Sequence, residues 1–511
     1  MFQRLTTAES VQSAKIQIAA LFAEHAEWFY STEEGVTQAL RKSEVAIDVL
    51  QGRLILSCWT EEGTRSWRIR GWRHQGEKLL FEASRHMGSL QSLIELVPRA
   101  SAATIAATVR AGREARCEQL ARLATTNLMG SKIERVALSR GPRQGQPGRY
   151  ARIVLRLKHQ RVAVTGLVAS YGAHEVDAFL SAALLWFART SERSRAPYIQ
   201  LLWLIVESVM VGPAAQRVAL LRESLKEVIR VSEIDEGWTE LKPITCPKGN
   251  ELWRKRLKRL QRADRIELSD AARRIVAQAP VAIDIVQSRH GETLRYFGLP
   301  FARVRRLLTS ERVWFGIDGA RRRMRDERSE RDWTNLLDDL HNRRAADASD
   351  RRHALYRMAS EAWLESLLRR DISKLDPGLI VAPIYAQFRT SRAGQSAVRP
   401  VDLLALRRDG RLVVIELKVF EDREHVLQGI DYWYRVERHR RRGHISDAKL
   451  FDDREIMDLP PLVYLVAPTL RVHPSFQTLA RMIAPDIEVY RFDINEDWRF
   501  GVRVMRRNRV N

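Results

Sequence analysis

A chain of 511 residues is long enough for about three domains with ample core. Its 86 Lys and Arg against 63 Asp and Glu leave a net charge of +23, a balance that favours polyanionic partners without choosing DNA, RNA or a membrane surface. Three scattered cysteines, Cys58, Cys117 and Cys246, supply neither a disulfide framework nor a zinc-ligand pattern. No GxxxxGK[ST] phosphate loop is present, so an ATP-driven motor would have to be a separate subunit.

The first residues lack the apolar core of a secretion signal. Residues 8–29 read as a helix, followed by strands at 45–59, 66–72 and 78–84. A helical stretch is expected over 90–128, then strands at 133–138, 151–157 and 161–168. The glycine-rich 141–148 segment lacks the lysine and hydroxyl of a phosphate loop and reads as a basic surface loop. Residues 174–235 read as mainly helical. Within them Tyr198–Val211, interrupted by Gln200 and Glu207, is too short to span a bilayer and is expected to be a buried helix.

The run Arg254–Arg262 places Leu257 and Leu260 among positive charges and predicts a basic amphipathic helix; Arg321–Arg325 is a second basic cluster. Short strands follow at 281–288 and 293–297. The pentads Val45–Val49 and Val281–Ile285 are similar, but five residues do not establish a repeat. Lone histidines such as His174 read as structural. The polar segment 342–352 marks the last domain boundary. This predicts an α+β domain over 1–170, a mainly helical, strongly basic region over 171–345 with a small β segment, and an α/β domain over 346–511.

The last third carries the chemistry. Residues 354–370 read as an amphipathic helix with Glu361 and Glu365 one turn apart. Asp402–Arg407 and Arg411–Lys418 read as strands around Arg408-Asp409-Gly410, a three-residue loop with its glycine in the left-handed region. In that register Asp402 faces Glu416, and Lys418 shares their side of the sheet. A two-residue Asp-Gly loop would instead turn Asp402 away. The other strand residues are apolar on both faces, so acids placed there must be paired or hold an ion. Magnesium suits one or two carboxylates. A helix over 421–442, ended by Gly443, aligns Gln428, Tyr432, Arg435 and His439 in one stripe. Strands at 462–467 and 487–492 and a helix at 474–483 complete the order.

These residues resemble the PD-(D/E)xK nuclease superfamily over about residues 350–511, with Val401 separating the proline from the aspartate. The resemblance implies a restriction-endonuclease-like mixed sheet flanked by helices, with Mg2+ (or Mn2+ in its place) held by Asp402, Glu416 and the Leu417 carbonyl. It makes Lys418 the residue that positions the attacking water. Gln428 and Tyr432 match its Gln-x-x-x-Tyr element, and Glu365, or else Glu361, resembles the glutamate on the first helix. The expectation is a cytoplasmic metal-dependent nuclease acting on nucleic acid, DNA foremost, with no membrane association and with a protein partner or a second copy as further possibilities. The alternatives are a non-catalytic nucleic-acid-binding or assembly protein of the same fold, and an RNA-processing enzyme using the same site. Residues 1–340 resemble no family in this reading.

Overall fold

The computed structural model describes residues 2–511 other than 33–36, 42–43, 61–62, 86–89, 142–146, 170–174, 194–197, 255–256, 261–266, 289–290, 307–309, 318–322 and 389–400. His174, His290 and Pro400, most of the 141–148 loop, and parts of both basic clusters fall outside the described residues. The fold is mixed α/β, with several sheets and helices. Contacts divide the chain into two compact units, each made of separate stretches: residues 1–105, 263–370 and 497–502 in the first, and 106–262, 371–496 and 503–511 in the second. The three consecutive domains read from the sequence do not coincide with these units, because segments far apart in the chain share cores.

The first unit holds two antiparallel meanders. In one, strands from Val45–Leu50 to Leu90–Pro98 follow one another, and Glu27–Thr32 and Thr37–Arg41 extend the sheet beyond the last. Helix Ala8–Ala23, shorter than expected, lays Val11, Ala14, Ile18 and Phe22 into a core with Trp28, Leu54, Trp67 and Phe81. The residues Leu90–Pro98, read as helical, form a strand instead, since Ile94 to Leu96 are paired on both sides in this sheet. The second meander runs from Ile283–Ser288 to Arg323–Met324, covered by helices Asp270–Gln278 and Glu330–Arg343. The two similar pentads thus lie at the openings of the two meanders. The 354–370 helix is broken into Ala354–Arg357 and Ser360–Arg370, with Ala359 between them at φ +47°. The fully buried Arg344 guanidinium donates to carbonyls of Tyr296, Leu355 and Met358. This satisfies backbone groups that the chain breaks leave open.

The second unit holds two six-stranded mixed sheets. The first contains β1 (Lys132–Arg140), β2 (Pro147–Arg156), β3 (Arg161–Leu167), β4 (Ile199–Glu207), β5 (Ile229–Ile234) and β6 (Leu241–Ile244). Helix α1 (Val176–Arg193) crosses from β3 to β4, and α2 (Ser208–Ala219) lies between β4 and β5. The second sheet contains β7 (Tyr385–Phe388), β8 (Val401–Leu406), β9 (Leu412–Leu417), β10 (Leu462–Pro468), β11 (Val489–Ile494) and β12 (Val504–Arg509). Helix α3 (His425–Arg440) crosses from β9 to β10, and α4 (Phe476–Ala480) from β10 to β11.

Two sequence expectations are corrected here. The apolar run 198–211 is not a buried helix: Ile199–Glu207 is β4, paired in parallel with β3 and β5. A Leu/Ile/Val-rich run flanked by two strands satisfies its backbone in the ladder and buries both faces, so region 174–235 alternates helix and strand. The described residues of 254–262 form no helix; a 3-10 turn at Gly249–Trp253 precedes them and Leu260 packs against the β8–β9 core. That tertiary contact overrides the helical periodicity.

Candidate active site

The β8–β9 hairpin sets the geometry. Gly410 has φ +82°, and the Arg407 N–H donates to the Arg411 carbonyl at 2.9 Å, so the loop is the three-residue one. Leu403 pairs with Ile415 and Leu406 with Leu412. Continuing that register by one residue sets Asp402 opposite Glu416. The central strands are apolar apart from this end, where β9 finishes and the chain turns away.

Three charged side chains meet there. The Leu417 N–H donates to Asp402 Oδ2 at 2.9 Å, and the Glu416 carboxyl lies within hydrogen-bonding reach of the Asp402 carboxyl. Lys418 Nζ sits 2.9 Å from Glu416 Oε1 and 3.4 Å from Asp422 Oδ2. Glu416 and Lys418 are buried, whereas Asp402, near the start of β8, keeps partial exposure. Burial first, and the Glu416 charge second, raise the Asp402 pKa well above the ordinary carboxylate range. Burial and the neighbouring Glu416 carboxylate thus both disfavour the ionised form of Asp402, while Lys418 and the Leu417 N–H act the other way.

A stability consequence follows. A carboxyl whose folded pKa is raised costs stability once the pH exceeds the unfolded value, and the full cost is reached above the folded pKa. In a chelated, metal-free buffer at neutral pH, Asp402→Asn should therefore melt a few degrees (~2–4 °C) above wild type. The advantage should shrink as the pH falls toward the ordinary carboxylate range. Thermal melts at several pH values test this, and a variant that is less stable at every pH contradicts it.

Helix α3 packs against β9 and β10 and frames the site. Its Gly429 has no room for a side chain: a Cβ there would stand 2.5 Å from a Leu465 methyl and 3.2 Å from a Val463 methyl. The preceding Gln428 is buried and donates from Nε2 to Glu424 Oε2 at 3.0 Å. Tyr432, one turn on, lies in the core with Val401, Leu404 and Val436, and its ring carries the Arg435 guanidinium 5.3 Å from its centroid. The tyrosine thus steadies the strand from which Asp402 projects.

Two neighbours escaped the sequence reading. His425 is buried and its Nε2–H donates to the Glu416 carbonyl at 3.3 Å; burial and then Lys418 push its pKa down to about 4, so the ring is neutral. Asp422 shares Lys418 with Glu416. Both follow the lysine closely in Glu421-Asp422-Arg423-Glu424-His425, and that local concentration of polar residues before an apolar helix was the available signal.

Glu365 belongs to the first unit. It is buried, and Arg295 Nη1 stands 3.0 Å from its Oε1 while gripping Asp284 with Nη2. Glu361 occupies the first turn of the same helix. Asp402, Glu416, Lys418, Gln428 and Tyr432 all belong to the second unit.

Among the described residues no three or more His, Cys, Asp or Glu side chains gather as a metal cage. The Asp402–Glu416 pair, two hard oxygen donors forced together, fits a cation that takes one or two carboxylates and otherwise water. No helix among the described residues is long and apolar enough to cross a membrane. The chain matches no family model, no curated protein and no solved structure.

Proposed function

We propose that the β7–β12 half of the second unit is a metal-dependent nuclease of the PD-(D/E)xK type, with its restriction-endonuclease-like sheet, and that it hydrolyses phosphodiester bonds in DNA. The observation that carries this reading is the meeting of Asp402, Glu416 and Lys418 at the end of a buried hairpin. Two carboxyls in hydrogen-bonding reach repel once both ionise, and a divalent cation relieves that repulsion.

Asp402 and Glu416 would hold Mg2+ or Mn2+, with the Leu417 carbonyl beside them as third protein ligand. The ion supplies charge stabilisation at the phosphate and a more acidic bound water. Lys418 is the residue that orients the attacking water and balances negative charge as it develops. Its 2.9 Å contact with Glu416 keeps the ammonium beside the reacting centre. Asp422 holds the same ammonium from the other side. His425, neutral, fixes the Glu416 backbone from which the carboxylate projects. Gln428 and Tyr432 act as positioning residues: the first through Glu424, the second by packing the helix against the Asp402 strand. Glu365 contributes to the first unit through Arg295. The net charge of +23 favours capture of a polyanionic substrate.

The test is incubation of the full chain with plasmid, linear duplex, single-stranded DNA and RNA, each with Mg2+, Mn2+ or EDTA. Hydrolysis of DNA that needs the cation supports the proposal. Binding without cutting under every condition supports a non-catalytic protein instead, and preferential cutting of RNA moves the substrate class.

A further inference from the structure

The two sheets of the second unit repeat one plan. In each, the first three strands are antiparallel neighbours, two parallel pairings follow, and an antiparallel strand closes the edge. The long crossover helix stands at the same place, α1 after β3 and α3 after β9, and α2 and α4 occupy the next connection. The segments following α2 and α4 meet each other: Leu221 bridges Ile483 antiparallel, the Arg222 N–H donates to the Met482 carbonyl, and the Ala484 N–H to the Leu220 carbonyl. Like meeting like is the mark of an isologous two-fold contact, here within one chain.

This correspondence locates the counterparts of the candidate catalytic residues. Asp402 lies four residues before the innermost hairpin pair Leu406↔Leu412, and Glu416 four after it. Around the equivalent pair Arg156↔Arg161 those places are Arg152 and Thr165, which face each other in register; the place of Lys418 is Leu167. Thr165 is buried and spends its hydroxyl on the Ala151 carbonyl at 2.7 Å. The first half therefore lacks both acids and the lysine.

In their stead it gathers arginines. Arg152 stands 5.9 Å from the Trp186 ring of α1, and Arg189 follows on that helix, exposed. Arg135 pairs with Val154, two residues from Arg152, and so shares its face. Arg423, next to Asp422 of the candidate site, completes the group. Among the described residues none of these four has a carboxylate partner in the second unit. Burial, and then Arg189, Arg423, Arg135 and Arg140, lower the Arg152 pKa, as mutually repelling cations must.

We infer that the first half is a copy of the catalytic half converted from cutting to gripping: Arg152, Arg189, Arg135 and Arg423 bind the phosphate backbone of the nucleic acid that the second half hydrolyses. The inference rests on the nucleic-acid ligand of the function proposed above. Planar guanidinium groups match phosphate oxygens in pairs, and phosphates would relieve the repulsion among the four cations. The cluster ends beside Asp422, so the gripped strand leads toward the scissile position.

The experiment measures binding of a fluorescein-labelled DNA duplex by anisotropy in EDTA, across a salt series, with the full chain. The variant Arg135→Ala/Arg152→Gln/Arg189→Ala should bind ~10–100-fold more weakly at low salt, with a log–log salt slope shallower by about 2 to 3. The exposed double variant Arg135→Ala/Arg189→Ala, shallower by about 2, serves if the Arg152 change disturbs folding. A control removing Arg273, Arg274 and Arg343 from the surface of the first unit should change binding far less. Unchanged affinity and slope in both test variants overturn the inference even where DNA is still cut. Arginine-dependent binding by a wild-type chain that cuts nothing supports it and sinks the nuclease instead.

Discussion

Lys418→Ala should lower Mg2+-dependent DNA hydrolysis by ~10²–10³-fold while leaving DNA affinity in EDTA within a few-fold of wild type. The argument starts from position. Lys418 is buried at the end of β9 with its ammonium between Glu416 and Asp422, so it touches the site and not the surface that captures substrate. Under the proposed function, its loss would remove the group that meets developing charge and leave the two acids that would hold the cation. Lys418→Arg should recover little, because a planar fork does not reproduce a compact ammonium between two carboxylates. Initial rates on a labelled duplex, with anisotropy on the same preparations, test both parts. Activity within threefold of wild type contradicts the role given to the lysine.

Arg217→Ala should cost ~3–5 kcal/mol of stability, enough to lower the melting temperature of the second unit sharply. Arg217 is buried on α2 and reaches Asp177 of α1 at 2.8 Å and Asp431 of α3 at 2.7 Å. Removing the guanidinium leaves the enclosed Asp177 carboxylate without its cation and Asp431 with Arg435 as its remaining partner, in addition to the cavity. Neutralising the Arg217–Asp177 pair together, as Asp177→Asn/Arg217→Met with Asp431 kept against Arg435, should restore much of the loss, since the penalty comes from uncompensated charge rather than from a missing attraction. Denaturant unfolding followed by intrinsic tryptophan fluorescence decides it. A double variant as unstable as the single one contradicts the electrostatic account.

What could be read in advance depended on how local the information was. The Asp409-Gly410 loop, the register it imposes, and the cap at Gly443 are decided by residues within a few positions of one another, and the structure has all three. Tertiary choices were less visible. A run such as Ile199-Gln-Leu-Leu-Trp-Leu-Ile-Val206 is apolar on every side, and only its two neighbouring strands make it a strand. Leu90–Pro98 shows the same ambiguity. At 254–262 the periodicity was right for a helix, yet docking of Leu260 against the β8–β9 core prevailed.

The repeated sheet plan of the second unit was illegible for a different reason. Its two halves share topology and register, but they carry Asp402, Glu416 and Lys418 in one and Arg152, Thr165 and Leu167 in the other. The two similar pentads belong to the meanders of the first unit and carry no trace of this plan. His425 and Asp422 were missed because their relation to Glu416 and Lys418 depends on how the chain turns after β9.

The most direct measurement is diffraction from crystals of the full chain soaked in Mn2+ and recorded at the manganese edge. The account predicts one anomalous peak between the carboxyls of Asp402 and Glu416, about 2.0–2.2 Å from an oxygen of each, and none in Asp402→Asn crystals. A peak-free map at that position, from crystals with manganese bound elsewhere, would contradict it.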